Sequence, residues 1–188
     1  MLDALTFLQT RRSTPAKTLK APVPTRAEIE ALLKIAARTP DHKKLEPWRF
    51  IVLSEAALNR LGPLANSRYD ALGLPEDKRA KTCSQFNDGL LAVAVIASPK
   101  VCDSIPEVEQ TLSAGAVCLA LLNGAMASGW GANWLTGPMA FDRTFLTEGL
   151  GLAPQEFVAG FIHIATRGAT PPERPRPDMP SITTWLDG

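Results

Sequence analysis

Arg38-Thr39-Pro40-Asp41-His42-Lys43-Lys44-Leu45-Glu46-Pro47-Trp48 leads from a helical pattern into the apolar run Phe50-Ile51-Val52-Leu53, so it reads as a helix-to-strand connection. Pro40 and Pro47 remove two backbone donors and push Thr39 and Glu46 toward extended conformations. Between them lie an acid, one of only two histidines and two lysines, and a tryptophan closes the stretch. A loop must satisfy its own polar backbone in water unless a ligand or partner covers it. A stiffened loop with cationic and aromatic groups suits a flat, anionic ligand. A solvated connection anchored to the core by Trp48 is the competing reading.

Composition narrows the classes. At 188 residues, one domain spanning 1–188 is the default, and a hydrophobic share of 45% suffices for a sizeable core. Lysine plus arginine total 20 against 19 acids, a net charge of +1 without the basic excess of a nucleic-acid binder. Cys83, Cys102 and Cys118 are odd in number and too widely spaced for a C-x-x-C site, which argues for reduced thiols and a cytoplasmic setting. Only His42 and His163 offer imidazole, with no carboxylate–histidine spacing, so no metal site is expected. Met1-Leu2-Asp3-Ala4 lacks the positive region of a signal peptide. The most apolar long stretch, Ala114 to Ala127, is broken by Asn123 and reads as a buried helix, too short and too mixed for a membrane span.

Along the chain, Asp3 to Gln9 predicts a short helix with Leu2, Leu5, Phe7 and Leu8 facing inward. Ala21-Pro22-Val23-Pro24 is a rigid connection, and Thr25-Arg26-Ala27-Glu28 is a capping box opening a helix with Ile29, Leu32, Leu33 and Ala36 on one face. Ser54 caps a helix carrying Leu58 and Leu61, which Gly62-Pro63 is expected to end. Ala65 to Gly89 is polar and reads as irregular, helical in pieces around Glu76 to Phe86. Leu90 to Ala97 is a strand buried on both faces. A long central helix follows from Glu107 to Ser128, then a short strand from Ala132 to Leu135, a helix capped by Asp142 and a buried strand from Val158 to Thr166. His163 alternates with apolar neighbours there and reads as a satisfied structural histidine. The proline-rich arm, 168–188, ends in the strand-like Ile182-Thr183-Thr184-Trp185, suited to joining a neighbour's sheet edge.

No Rossmann fingerprint, P-loop or nucleophile elbow is present: Gly129-Trp130-Gly131 and Gly149-Leu150-Gly151 lack a third glycine, and Gly89-Leu90-Leu91 lacks a serine. A cofactor must therefore carry any chemistry. Arg11-Arg12-Ser13 ends the first helix with two adjacent cations, for which phosphate is the commonest reason. Surface charges favoured by a helix C-terminus are the alternative.

Arg11-Arg12-Ser13, then Arg38-x-Pro40-Asp41-His42-Lys43-x-x-x-Pro47-Trp48, Gly129-Trp130-Gly131-Ala132-Asn133-Trp134-Leu135-Thr136-Gly137 and Gly160-Phe161-Ile162-His163-Ile164-Ala165-Thr166 occur in this order. Together they resemble the FMN-dependent nitroreductase family, most closely its small single-domain NAD(P)H nitroreductase branch. The resemblance implies an α+β, nitroreductase-like fold: a central mixed sheet flanked by helices, with the C-terminal strand exchanged in a homodimer. It implies that the small-residue stripe Ala114, Gly115, Ala116, Ala120, Gly124, Ala125 and Ala127 packs against its mate, and that Ala65 to Gly89 is mobile beside the substrate opening. It implies FMN as cofactor, with Arg11, Arg12 and Ser13 at the phosphate and Arg38 and His42 contributed by the opposite subunit. Trp134, Leu135 and Thr136 would run beside the isoalloxazine, and Arg176, with Arg174 second, would add a phosphate contact. Gly124, Ala125, Met126, Ala127, Ser128 and Gly129 would face NADH or NADPH. Two or three charge-assisted bonds of roughly 1.5–3 kcal/mol each, with ring burial, reach the ~8 kcal/mol of micromolar retention.

The implied activity passes hydride from NAD(P)H through flavin to a small-molecule electron acceptor such as a nitroaromatic or quinone, by a ping-pong order. The alternatives are a non-catalytic FMN-binding, storage or sensor protein, and a flavoenzyme dehydrogenating a specific metabolite. Two departures from the family pattern stand out. Leu135 replaces an arginine common in relatives, and Asp41-His42-Lys43 replaces the wider family's Ser and Asn in the first loop.

Overall fold

The computed structural model describes residues 3–186. Helix α1 (Ala4–Thr10) is capped by Asp3, whose carboxylate accepts from the Leu5 and Thr6 amides. Strand β1 is the two-residue segment Leu19–Lys20. Helix α2 (Arg26–Ala36) opens with the predicted capping box, Thr25 and Glu28 each bonding the other's backbone. Its spacing turns Ile29, Leu32 and Ala36 into the core. Strand β2 (Trp48–Ser54) and helix α3 (Glu55–Ala71) follow, with Ser54 capping α3.

The expected stop at Gly62-Pro63 does not occur. Helix α3 runs through Pro63, because Leu58, Leu61, Gly62, Ala65 and Tyr69 bury one continuous face that outweighs the lost backbone bond. Residues 65–89 are correspondingly more regular than their polarity suggests. They complete α3 and form α4 (Arg79–Asn87), with Tyr69, Cys83 and Phe86 fully buried beneath.

Strand β3 (Leu91–Ala97) is buried at every residue, as its unbroken apolar run predicts. Helix α5 (Glu107–Ala127) is long and apolar enough to cross a membrane by length and composition, contrary to the reading of its shorter core as too short and too mixed. Here it packs on the sheet through Ala114, Val117, Cys118, Leu121, Leu122 and Ala125. Strands β4 (Gly131–Leu135) and β5 (Phe157–Arg167) complete the sheet. Between them Asp142 caps the turn leading into a π-helical segment, Phe145–Gly149, accepting from the Phe145 amide at 2.7 Å and from Arg68 at 2.9 and 3.1 Å.

The sheet order is β1-β5-β3-β2, with β4 also on β5. Strand β5 pairs β3 along one edge; along the other it pairs β4 over Phe161 to Ala165 and β1 over Thr166 and Arg167. Every pairing among the described strands is antiparallel, so the sheet of one chain is not mixed. One apolar cluster lies under α3 and α4, with Phe86, Phe145 and Phe161; the other lies under α2 and α5, with Val93, Val95, Ile162 and Ile164.

Two expectations at the termini fail. Leu5 and Leu8 are exposed and α1 buries no residue, although Phe7 packs against the second cluster; Leu2 lies outside the described residues. Ile182 to Trp185 forms no strand: Met179–Ile182 is a helical turn, and Ile182 and Trp185 are exposed. A strand needs an edge to pair with, and this chain brings none to that segment.

Arg49 and Glu156 tie β2 to the start of β5 by two bonds of 2.7 and 2.8 Å, and Glu156 also accepts the Ala153 amide. The Arg49 guanidinium holds the buried Glu156 carboxyl down at about 2. A depressed carboxyl stabilises the fold above its unfolded value and loses that contribution as pH falls through its folded one. Glu156→Gln should therefore lower stability at pH 7 by about 1–3 kcal/mol in urea titration, and the gap from the parent should close between pH 4.5 and 2.

Candidate functional site

Arg11 closes α1, its amide bonded to the Phe7 carbonyl, and its extended backbone sends the chain away from the helix. Its Nη2 donates to the Ser13 hydroxyl at 3.0 Å, while its Nε is buried without a partner. Burial first, then the nearby Arg176 and Arg12, holds the Arg11 pKa below the usual arginine range. Arg12 donates through Nε and Nη2 to the Pro172 carbonyl at 3.1 and 3.0 Å, drawing the C-terminal arm across the first helix. The structure thus gathers Arg11, Arg12, Ser13 and Arg176 from opposite ends of the sequence.

One carboxylate lies among these cations. Glu173 accepts from Arg176 Nη2 at 2.8 Å and stands 3.9 Å from Arg12. The Arg174 amide, then Arg176 and Arg12, lower its pKa. A cleft of about 210 Å³ opens beside the cluster, lined by Phe7, Arg11, Arg12, Met126 and Arg167. Three guanidinium groups sharing one carboxylate form a site for a further anion.

The 38–48 loop is the second feature. Lys43, Lys44 and Glu46 adopt left-handed backbone at φ 59, 54 and 47, strain that persists only where surroundings enforce it. Those surroundings are evident. The Glu46 amide donates to Asp41 at 2.6 Å, Lys43 Nζ to Ser104 at 3.0 Å, and Trp48 Nε1 to Ser113, whose hydroxyl donates to the Pro40 carbonyl. His42 Nδ1 lies 2.9 Å from Glu109, and Arg38 is exposed with no ion pair among the described residues. Glu109 sits in the first turn of α5 and Met126, at the cation cleft, in its last. At 1.5 Å per residue they lie about 25 Å apart, so one chain does not bring Arg38 and His42 to Arg11 and Ser13.

The third feature is a cleft of about 280 Å³ between α4, the edge of β5 and residues 16–19, with Leu135, Gln85 and His163 in its wall. The Thr14 amide donates to the Ala132 carbonyl and Asn133 Nδ2 to the Thr14 carbonyl, both at 2.9 Å, so the segment leaving Ser13 is pinned along β4. Trp134 fills the slot over Gly160, where a Cβ would fall 2.0 Å from the indole Nε1, and that nitrogen donates to the Ala159 carbonyl at 3.2 Å. The Thr136 carbonyl accepts from Gln85 Nε2 at 3.0 Å. Of the segment 124–129, Gly124 and Ala125 are turned into the core, Gly124 against Leu32 and Ile35 of α2. Met126 reaches the cation cleft, and Ala127, Ser128 and Gly129 are exposed.

His163 is not satisfied as its strand position suggests. It is buried, its Nε2 has no partner, and burial pushes its pKa down to about 4. Among the described residues no cluster of three or more metal-binding side chains occurs.

Residues 8–166 match the family model described as the nitroreductase family. The chain belongs to that family. It is 34% identical over 167 residues to a protein named "Putative NAD(P)H nitroreductase" from Haemophilus influenzae, covering 88% of this chain and 89% of that one. Among solved structures it is similar to a nitroreductase-like family protein from Bacillus cereus, with TM-score 0.81 and 20% identity, covering 100% of this chain and 98% of that one. It is also similar to a nitroreductase with bound FMN from Bacteroides fragilis, with TM-score 0.75 and 19% identity, covering 100% of both chains. At these identities the likeness to solved structures concerns the nitroreductase fold.

Within this nitroreductase-family chain, sequence reading overlooked Gln85 and Glu173. Gln85 lies in a stretch too polar to show which side chain is buried, and Glu173 in an arm whose path no periodicity reveals. Glu173→Gln removes the internal counter-charge from the Arg12–Arg176 pair. Inorganic phosphate should then bind about twofold to fivefold tighter by calorimetry, the worth of one exposed ion pair; unchanged affinity would place the carboxylate elsewhere in solution.

Proposed function

We propose that the chain is an FMN-dependent oxidoreductase using NADH or NADPH as hydride donor and a nitroaromatic or quinone-like molecule as acceptor, in ping-pong order. The observation that carries this reading is the Arg11–Arg12–Arg176 cluster with its buried, unpartnered Arg11 Nε. An unmade charged donor fits a phosphate oxygen, and Ser13 adds a hydroxyl beside it. Bound there, FMN would supply reversible hydride transfer at a flat ring. The FMN-bound Bacteroides fragilis structure and the Haemophilus influenzae relative's name support the same cofactor and donor.

The chain's own residues do the positioning. Arg11, Arg12, Ser13 and Arg176 anchor the phosphate, and the segment pinned to β4 leads from them toward Leu135 and Thr136. Apolar Leu135 in the wall of that cleft excludes water without adding a cation. Ala127, Ser128 and Gly129, exposed past the end of α5, face the donor.

The working unit in this reading is a homodimer of domains spanning 1–188, in the cytoplasm, with the 168–188 arm laid on the partner. Val108, Leu112 and Leu119 share an outward face of α5 and are exposed, as are Leu5, Leu8, Ile182 and Trp185. A second copy covering them would also carry its own Arg38 and His42 to the flavin that Arg11 and Ser13 hold. That answers the 25 Å separation along α5.

Reconstituted protein should be yellow, bleach anaerobically with NAD(P)H and recover with an acceptor. Arg11→Ala should weaken FMN binding about 10- to 100-fold by fluorescence quenching; full occupancy after dialysis would refute the phosphate assignment. Light scattering should show a dimer at micromolar concentration, and a flavin-loaded monomer would exclude the shared site.

A further inference from the structure

Two buried polar atoms face the 280 Å³ cleft with nothing to bond, Gln85 Oε1 and His163 Nε2. Both residues are more than nine-tenths buried, Gln85 at 7% exposure and His163 at 3%. The orientation of the Gln85 amide is set by its neighbours: Nε2 lies 3.0 Å from the Thr136 carbonyl and 3.4 Å from the Thr82 carbonyl, both acceptors. Oε1 is thereby left as an acceptor that requires an N–H from elsewhere. His163 is held neutral by burial, so its Nε2 offers one donor or one acceptor according to tautomer. Buried polar groups without partners are uncommon, and two in one cleft call for a ligand.

We infer that Gln85 and His163 are the specificity-determining floor of this cleft, reading the imide edge of a flat heterocycle, with Gln85 Oε1 accepting the ring N–H and His163 Nε2–H donating to the adjacent carbonyl. Leu19, Leu90, Leu91 and Leu135 supply apolar walls for the ring, while Lys17 and Asp88 stay at the rim. The inference rests on the FMN reading and deepens it. Five residues, Ser13 to Lys17, lead from the cation cluster to this cleft, a reach of roughly 15 Å when extended. One ligand can therefore place a phosphate at Arg11 and an imide over Gln85. The Gln85–Thr136 bond gives the floor a second effect, since it holds the backbone beyond Leu135 against α4.

The test compares FMN with 3-methyl-FMN, which keeps the phosphate and ring but lacks the imide N–H. The parent protein should bind FMN at least about tenfold tighter by flavin fluorescence quenching, the worth of a buried hydrogen bond. In Gln85→Leu, of similar volume, the two affinities should converge. His163→Phe should weaken both flavins equally and leave their ratio intact. Because the first comparison leaves the protein unchanged, it stands even if a variant folds poorly. Equal affinity of the parent for both flavins, or a preference that survives in Gln85→Leu, overturns the inference. If FMN still binds and Arg11→Ala still weakens it in that case, the cofactor reading is untouched. Failure of the parent to bind either flavin overturns both.

Discussion

Strand β5 bonds along both edges at once, and the three candidate features are positioned through it. On one side β3 carries the fully buried apolar run that anchors it in the core. On the other, β4 and β1 lie end to end along its eleven residues, which brings Trp134 and Leu135 beside the segment leaving Ser13. Gly160 leaves space for the indole, and the Gly168 amide donates to the Thr18 carbonyl, so the arm departs over the N-terminal segment. Arg176 reaches Arg11 because this strand ends where it does.

The core and the site differ in how polar groups are treated. In the core, Gln110 bonds both the amide and the carbonyl of Lys100, and Asp142 and Glu156 each take a two-pronged arginine and a backbone amide. Arg11 Nε, Gln85 Oε1 and His163 Nε2 are left without partners, and all three face or flank clefts. The strain is unevenly placed too: the three non-glycine residues with left-handed backbone all lie between Asp41 and Pro47. Natural sequences keep unmade bonds and strained backbone where function uses them.

Much of the fold was legible where one physical rule dominates. The Thr25–Glu28 box, the buried run of β3, the long α5 and the Asp142 cap are local signals, and each forms as read. The errors fall where packing overrides a local rule. Pro63 stays helical because five buried neighbours hold α3 together, and the polar residues 65–89 become ordered over Tyr69 and Phe86. Ile182 to Trp185 has strand chemistry but no edge within the chain.

The sequence by itself determined the family, the α+β class and the residue types of an anion site, since motif order, periodicity and charge are properties of the chain. Only the tertiary structure decided which of those residues meet. It joined Arg176 to Arg11 across most of the sequence and set Arg38 and His42 at the far end of α5. It also turned His163 from a presumed satisfied core residue into an unpartnered one. Contacts between distant segments depend on strand pairing and helix length, and these are set by the packed whole rather than by any local stretch.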